Sequence, residues 1–324
     1  MNRRAFLSTA AIAAVSTEAQ PVRPGVPVID THIHLFDTTR SQGVPWPPKD
    51  NTALYRPALP PRYRKLSAEH GIVGAIKVEA SPWLEDNQWV LDLAAKETLI
   101  VGMVGNIEPS KPGFAANLER FHKNPLFLGI RYGNLWGSDL AVTSTNKAVI
   151  TDLRSLAQTG LSLDTANPTP ALVAAIVRVT DEVPELRVII DHLPQLTEPE
   201  SPSERMAYRG YLAELHKRPQ VFVKVSQIYR KVKEGTIPRD LGVYRANLDR
   251  IFETFGEDRV LFGSDWPNSD NWRPYSDIFS IAQEYIRTKG PEVAEKYFWK
   301  NSVRAYRWKP RNASQPTDPP KTKI

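Results

Sequence analysis

The sequence predicts an α/β fold, a single-domain (β/α)8 TIM barrel, and three observations predict it. Past residue 25, short β-branched apolar runs begin near Val28, Ile72, Leu99, Leu126, Leu161, Arg187, Val221 and Arg259. Between them lie Tyr63–His70, Leu84–Lys96, Gly113–His122, Thr145–Gln158, Pro170–Asp181, Glu204–Lys217 and Tyr244–Phe255, each with apolar residues at helical spacing. Strand–helix alternation implies a parallel sheet covered by helices, and eight repeats over roughly 280 residues suit a closed barrel better than an open doubly wound sheet. The barrel is assigned to residues 26–308 of the 324.

The first strand runs through Val26-Pro27-Val28-Ile29-Asp30-Thr31-His32-Ile33-His34. Strand side chains alternate, so Asp30, His32 and His34 are expected on one side. The loop from Asp37 to Pro61 carries Trp46, Tyr55 and six prolines, and reads as a semi-rigid lid or wall over the barrel mouth. Trp83, just past the second strand, extends this aromatic set. The later strands end, in order, on Lys77 and Glu79, Asn106 and Glu108, Arg131, Asp164, His192, Lys224 and Ser226, and Asp265. The C-terminal strand ends are where a barrel keeps its chemistry. In a closed barrel the eighth strand neighbours the first, which sets Asp265 beside His32 and His34. A carboxylate among imidazoles has two uses: it completes a metal site, or it takes a proton from water. His70, His122 and His216 fall on helical stretches and read as surface residues.

The ends of the chain read differently. Asn2-Arg3-Arg4-Ala5-Phe6-Leu7, an apolar run from Leu7 to Val15 and small residues around Ala19 have the form of a twin-arginine signal peptide over residues 1–19. This predicts a periplasmic or secreted protein. The run is too short to span a bilayer, so no stable membrane insertion is expected. Residues 309–324, rich in Pro, Lys, Thr and Ser, read as a disordered tail. There is no cysteine, which excludes disulfides and thiolate chemistry. The formal charge is +6, but no five basic residues run together, and a nucleic-acid partner is not expected. Oligomeric state is left open.

His32-x-His34, His192 within Ile-Asp-His-Leu-Pro, and Phe262-Gly263-Ser264-Asp265-Trp266-Pro267 together resemble the amidohydrolase superfamily. The pattern is most similar to the amidohydrolase-2 type, in the branch that hydrolyses sugar lactones and pyrone dicarboxylate. The resemblance covers roughly residues 26–308 and includes the closing stretch Trp299–Tyr306. It implies a hydrolase that opens a lactone or related cyclic ester, with Asp265 activating water. His32, His34, His192 and Asp265 would hold one divalent metal ion, zinc or manganese; in a metal-free variant the histidines would polarise the carbonyl directly. Arg131 would meet a carboxylate or carbonyl of a small-molecule substrate, a lactone or carboxylated ring, with Trp46, Tyr55, Trp83 and Glu79 lining its site. A metal-dependent decarboxylase of the same superfamily and a non-catalytic ligand-binding barrel remain as alternatives.

Overall fold

The computed structural model describes residues 25–196, 198–232 and 235–317. The segment read as a signal peptide lies outside them. Eight strands follow in chain order: β1 Val28–Ile33, β2 Ile72–Val78, β3 Ile100–Gly105, β4 Phe127–Arg131, β5 Ser162–Thr165, β6 Arg187–Ile190, β7 Val221–Val225 and β8 Val260–Phe262. Every sequential pair is parallel, in the spatial order β1 to β8. The ring closes just past β8. There His34 N–H donates to the Trp266 carbonyl at 2.7 Å, Asp265 N–H to the His32 carbonyl at 2.8 Å, and Thr31 Oγ1 to the Phe262 carbonyl at 2.6 Å.

The covering helices are α1 Pro60–Ser67, α2 Glu85–Lys96, α3 Phe114–Phe121, α4 Leu140–Thr143, α5 Lys147–Gln158, α6 Pro170–Glu182, α7 Pro202–His216, α8 Gly242–Phe255 and α9 Tyr275–Arg287. Their starts follow local chemistry. Asn146 and Thr169 cap α5 and α6 through side-chain oxygens, and proline opens α1, α6 and α7. Helix α9 is not among the seven stretches read from the sequence. Its buried stripe of Ile278, Ile281, Ala282, Tyr285 and Ile286 seats it on the barrel, and the short α4 is likewise outside those seven.

The apolar core has two parts. One fills the shell between strands and helices. The other joins inward strand residues (Ile29, Val104, Leu128, Ile189, Phe222, Leu261) to Trp299, Val303, Tyr306 and Trp308. These last come from the end of the barrel chain: α10 Pro291–Glu295, a π turn at Lys296–Lys300, and α11 Asn301–Tyr306. They form a plug inside the barrel, away from the mouth.

Within the stretch read as a tail, residues 309–317 have partners on the barrel. Arg311 Nη1 donates to the carbonyls of Ala94, Glu97 and Ile100 at 2.6, 3.0 and 2.8 Å, and Gln315 to those of Val73 and Thr98. One expectation, in β1, is corrected. Asp30 pairs with Ala75 and Ile33 with Lys77, three steps on one strand against two on the other. This bulge breaks the alternation and turns Asp30 away from His32. Asp30 instead accepts from Tyr63 and Tyr275 of the outer helices, at 2.8 and 3.2 Å, and from the Ser264 N–H at 2.8 Å. It ties the seam of the barrel from outside.

Candidate active site

Three imidazoles and one carboxylate meet at the C-terminal mouth. His32 and His34 come from the bulged end of β1, His192 from the turn after β6, and Asp265 from the turn after β8. Asp265 Oδ1 lies 3.1 Å from His34 Nε2, 3.5 Å from His32 Nε2 and 3.8 Å from His192 Nε2. Backbone conformation makes this convergence possible. His192 and Asp265 both adopt the left-handed region, at φ +57° and +60°, where non-glycine residues are uncommon. The turn at His192 lets two consecutive side chains, Asp191 and His192, enter one mouth. Gly263 has a simpler role: a Cβ there would stand 2.7 Å from the Cβ of His32.

The outer ring nitrogens are engaged in ways that fix the inner ones. His34 Nδ1 lies 3.0 Å from the Val78 carbonyl, which can only accept, so this nitrogen carries the proton. His192 Nδ1 meets Ser226 Oγ at 2.8 Å. Burial pushes His32 well below the ordinary imidazole value and brings His192 down to about 4, so both rings are neutral near pH 7. Burial would raise the Asp265 carboxyl, but its interactions with His192, His34 and His32 outweigh this and hold it below the usual carboxylate range. His32 Nε2 is fully buried without a hydrogen-bond partner. His32, His34 and Asp265 present one ligand atom each within 4.8 Å of one another, a donor set that fits one divalent cation. His32, Asp191 and His192 form a second, overlapping group of possible ligands.

Asp265 is oriented from its other oxygen. Oδ2 accepts from Gln227 Nε2 at 2.5 Å and Asn268 Nδ2 at 2.7 Å, which leaves Oδ1 toward the imidazoles. Beneath them Asp191 is wholly buried between two cations, Lys224 Nζ at 2.9 Å and Arg131 Nε at 3.0 Å, with the His32 Nδ1 at 3.4 Å. Lys224 also reaches Asp164 at 2.8 Å, and Tyr306 of the plug donates to the same Asp164 oxygen at 2.5 Å. This ladder holds His32 and Arg131 in place.

A cavity of about 250 Å³ opens above this floor, lined by His34, Trp46, Glu79, Arg131, His192 and Asp265 among the residues expected there. Trp46 stacks edge-on against His34, with ring centres 5.4 Å apart. Tyr55 and Trp83 do not reach the cavity: Tyr55 sits half-buried in the proline-rich loop, and Trp83 is 38% exposed outside the mouth. Trp136 lines the wall in their place. Asn106 bonds to Asn87 and Pro82, and exposed Glu108 pairs with Lys111, both away from the mouth. Sequence reading also missed Asp191, Gln227 and Asn268. Alternation from inward-facing Ile189 would have flagged Asp191, and the three-residue step from Asp265 points to Asn268; for Gln227 there was no signal.

The family model described as Amidohydrolase matches residues 29–308. An L-fucono-1,5-lactonase of Burkholderia ambifaria is 26% identical over 289 residues, covering 86% of this chain and 95% of that protein. The crystal structure of an amidohydrolase from Burkholderia multivorans with bound zinc has a TM-score of 0.75 at 20% identity, covering 87% of this chain and 99% of that one. That of a probable 2-pyrone-4,6-dicarboxylic acid hydrolase from Acinetobacter baumannii with citric acid bound has a TM-score of 0.65 at 20% identity, with the same two coverages. These two likenesses show a shared fold.

Proposed function

The chain belongs to the amidohydrolase family, and we propose that it is a hydrolase that opens a lactone, with Asp265 activating the attacking water. The observation that carries this reading is the convergence of three imidazole nitrogens on Asp265 Oδ1 at the floor of the cavity. Similarity to an L-fucono-1,5-lactonase supports the substrate class.

Asp265 Oδ1 takes the proton from water as the water oxygen attacks the lactone carbonyl. Hydrogen bonds from Gln227 and Asn268 keep the carboxylate aimed during that transfer. The Arg131 guanidinium, whose Nη2 lies 3.4 Å from His192 Nε2, faces the developing oxyanion. The bond from the carbonyl carbon to the ring oxygen then breaks. Asp265 returns its proton to that oxygen, and the product is a hydroxy acid. His32, His34, His192 and Asp265 would hold one divalent ion, zinc or manganese, which when bound polarises the carbonyl and acidifies water. Residues 1–19 support export through a twin-arginine signal, which sequencing of the mature N-terminus from a periplasmic fraction would test.

Base uptake in a pH-stat tests the reaction. The substrates are L-fucono-1,5-lactone, other aldonolactones and 2-pyrone-4,6-dicarboxylate, and the comparison is Asp265→Asn. Acid release by the wild type, lowered at least about a thousandfold in the variant, is expected for loss of a general base in a preorganised site. Release of carbon dioxide without lactone opening would move the assignment to a decarboxylase. Binding without turnover of any lactone would leave a ligand-binding barrel.

A further inference from the structure

The loop after β4 is unlike the others at the mouth. In Gly133-Asn134-Leu135-Trp136-Gly137, four of five residues adopt positive φ: +97°, +58°, +55° and +82°, Leu135 being the exception. Glycine takes this conformation freely and asparagine tolerates it, but for tryptophan it is strained. The strain is upheld by specific ties. Asn134 and Asn167 exchange side-chain-to-carbonyl hydrogen bonds at 3.0 and 2.8 Å. The indole Nε1 of Trp136 donates to Glu79 Oε1 at 2.5 Å. Glu79 is itself only 2% exposed, and its other oxygen is buried without a partner, 4.0 Å from Arg131 Nη1.

The indole is thus anchored by its polar edge while part of its ring surface stays exposed. Trp136 is 43% exposed and stands outside both apolar cores. In its strained turn it is held by its tie to Glu79 rather than by either apolar core. Its place on the cavity wall, opposite no other use, supplies the missing partner: the C–H face of a bound ring. We infer that Trp136 is a substrate-stacking platform for the lactone ring, and that Glu79 is a positioning residue that acts by anchoring its indole. This rests on the lactone-hydrolase reading and names the wall that selects for a ring.

The test is steady-state kinetics with L-fucono-1,5-lactone, beside a titration of tryptophan fluorescence with the same compound. Trp136→Ala should raise KM about tenfold, the loss of roughly 1.4 kcal/mol of apolar contact, with kcat within about threefold of wild type. Glu79→Leu should raise KM to a similar extent and also lower kcat, because it removes the carboxylate beside Arg131. Glu79→Gln should recover most of the KM loss because its amide oxygen still accepts the indole N–H, and in KM the Glu79→Leu/Trp136→Ala double variant should add nothing to either single change. Thermal melting separates these effects from misfolding. A fall in kcat with KM unmoved, wild-type kinetics in Trp136→Ala, or additive KM losses in the double variant would overturn the inference. Should the wild type open no lactone, the hydrolytic reading falls first. Fluorescence then decides alone: quenching lost in Trp136→Phe and Glu79→Leu sustains the platform, and quenching unchanged or absent overturns it.

Discussion

His34 Nε2 lies 3.1 Å from Asp265 Oδ1 across the seam where β1 meets the turn after β8. The Nδ1 of His34 lies 3.0 Å from the Val78 carbonyl, so Nε2 is the atom turned to the carboxylate. Nitrogens of His32 and His192 approach the same oxygen, at 3.5 and 3.8 Å. Such a donor set acts either around a bound cation or without one.

Metal removal distinguishes these states. Dialysis against a chelator should strip about one divalent ion per chain and abolish lactone opening, and zinc or manganese should restore it. His34→Ala should purify with well under half of that metal, since one of four ligands is gone. Elemental analysis beside the pH-stat assay measures both. Full activity in a metal-free sample would show that the histidines act on the carbonyl unaided.

Asp191 offers a second test. It is buried among Lys224, Arg131 and His32. Asp191→Asn keeps the shape but leaves two cations short of a counter-charge. A loss of about 3–5 kcal/mol is expected for breaking a buried charge cluster on one side. As the support of His32 and Arg131 it should also lower kcat/KM roughly 10–100-fold. Urea unfolding and kinetics on the same preparation check the pair; wild-type values in both would remove Asp191 from the supporting network.

The barrel was legible because periodicity records which faces are buried, and eight alternations admit few topologies. Neighbourhood in a closed ring also placed Asp265 beside His32 and His34 across more than two hundred residues of chain. What escaped were departures from regular geometry. A bulge in β1 reversed Asp30, and no sequence pattern announces a bulge between polar residues. The left-handed turn at His192 brought in Asp191, which strict alternation treats as a rival to its neighbour rather than a companion. Aromatic composition identified a wall without saying which ring forms it. Tyr55 and Trp83 are as aromatic as Trp136, but the aim of a loop residue depends on backbone angles that composition does not encode.

Lys77 carries the last prediction. It is 3% exposed, on the same strand as Val78 and close to Glu79 and Asp86. Burial lowers its ammonium from 10.5 to about 8, against the attraction of those two carboxylates. Below pH 8 the folded and unfolded chains both hold the proton, and folding bears the full cost of the buried charge. Between about 8 and 10.5 the unfolded chain binds more protons than the folded one, so stability rises with pH across that window. At 1.36 kcal/mol for each pH unit, the cost at pH 7 is about 3 kcal/mol. Lys77→Met keeps the length of the side chain and removes the charge, while Arg40 still pairs with Asp86 at 2.7 Å and Arg131 still stands near Glu79. The variant should be more stable than wild type at pH 7 by about 1–3 kcal/mol, the upper figure being reached only if the loss of attraction to Glu79 is small. That gap should close as pH climbs from 8 to 10.5. Urea unfolding of both proteins at pH 7 and 10 measures it. A variant less stable at pH 7, or a gap that does not change with pH, would mean that the ammonium is fully compensated where it lies.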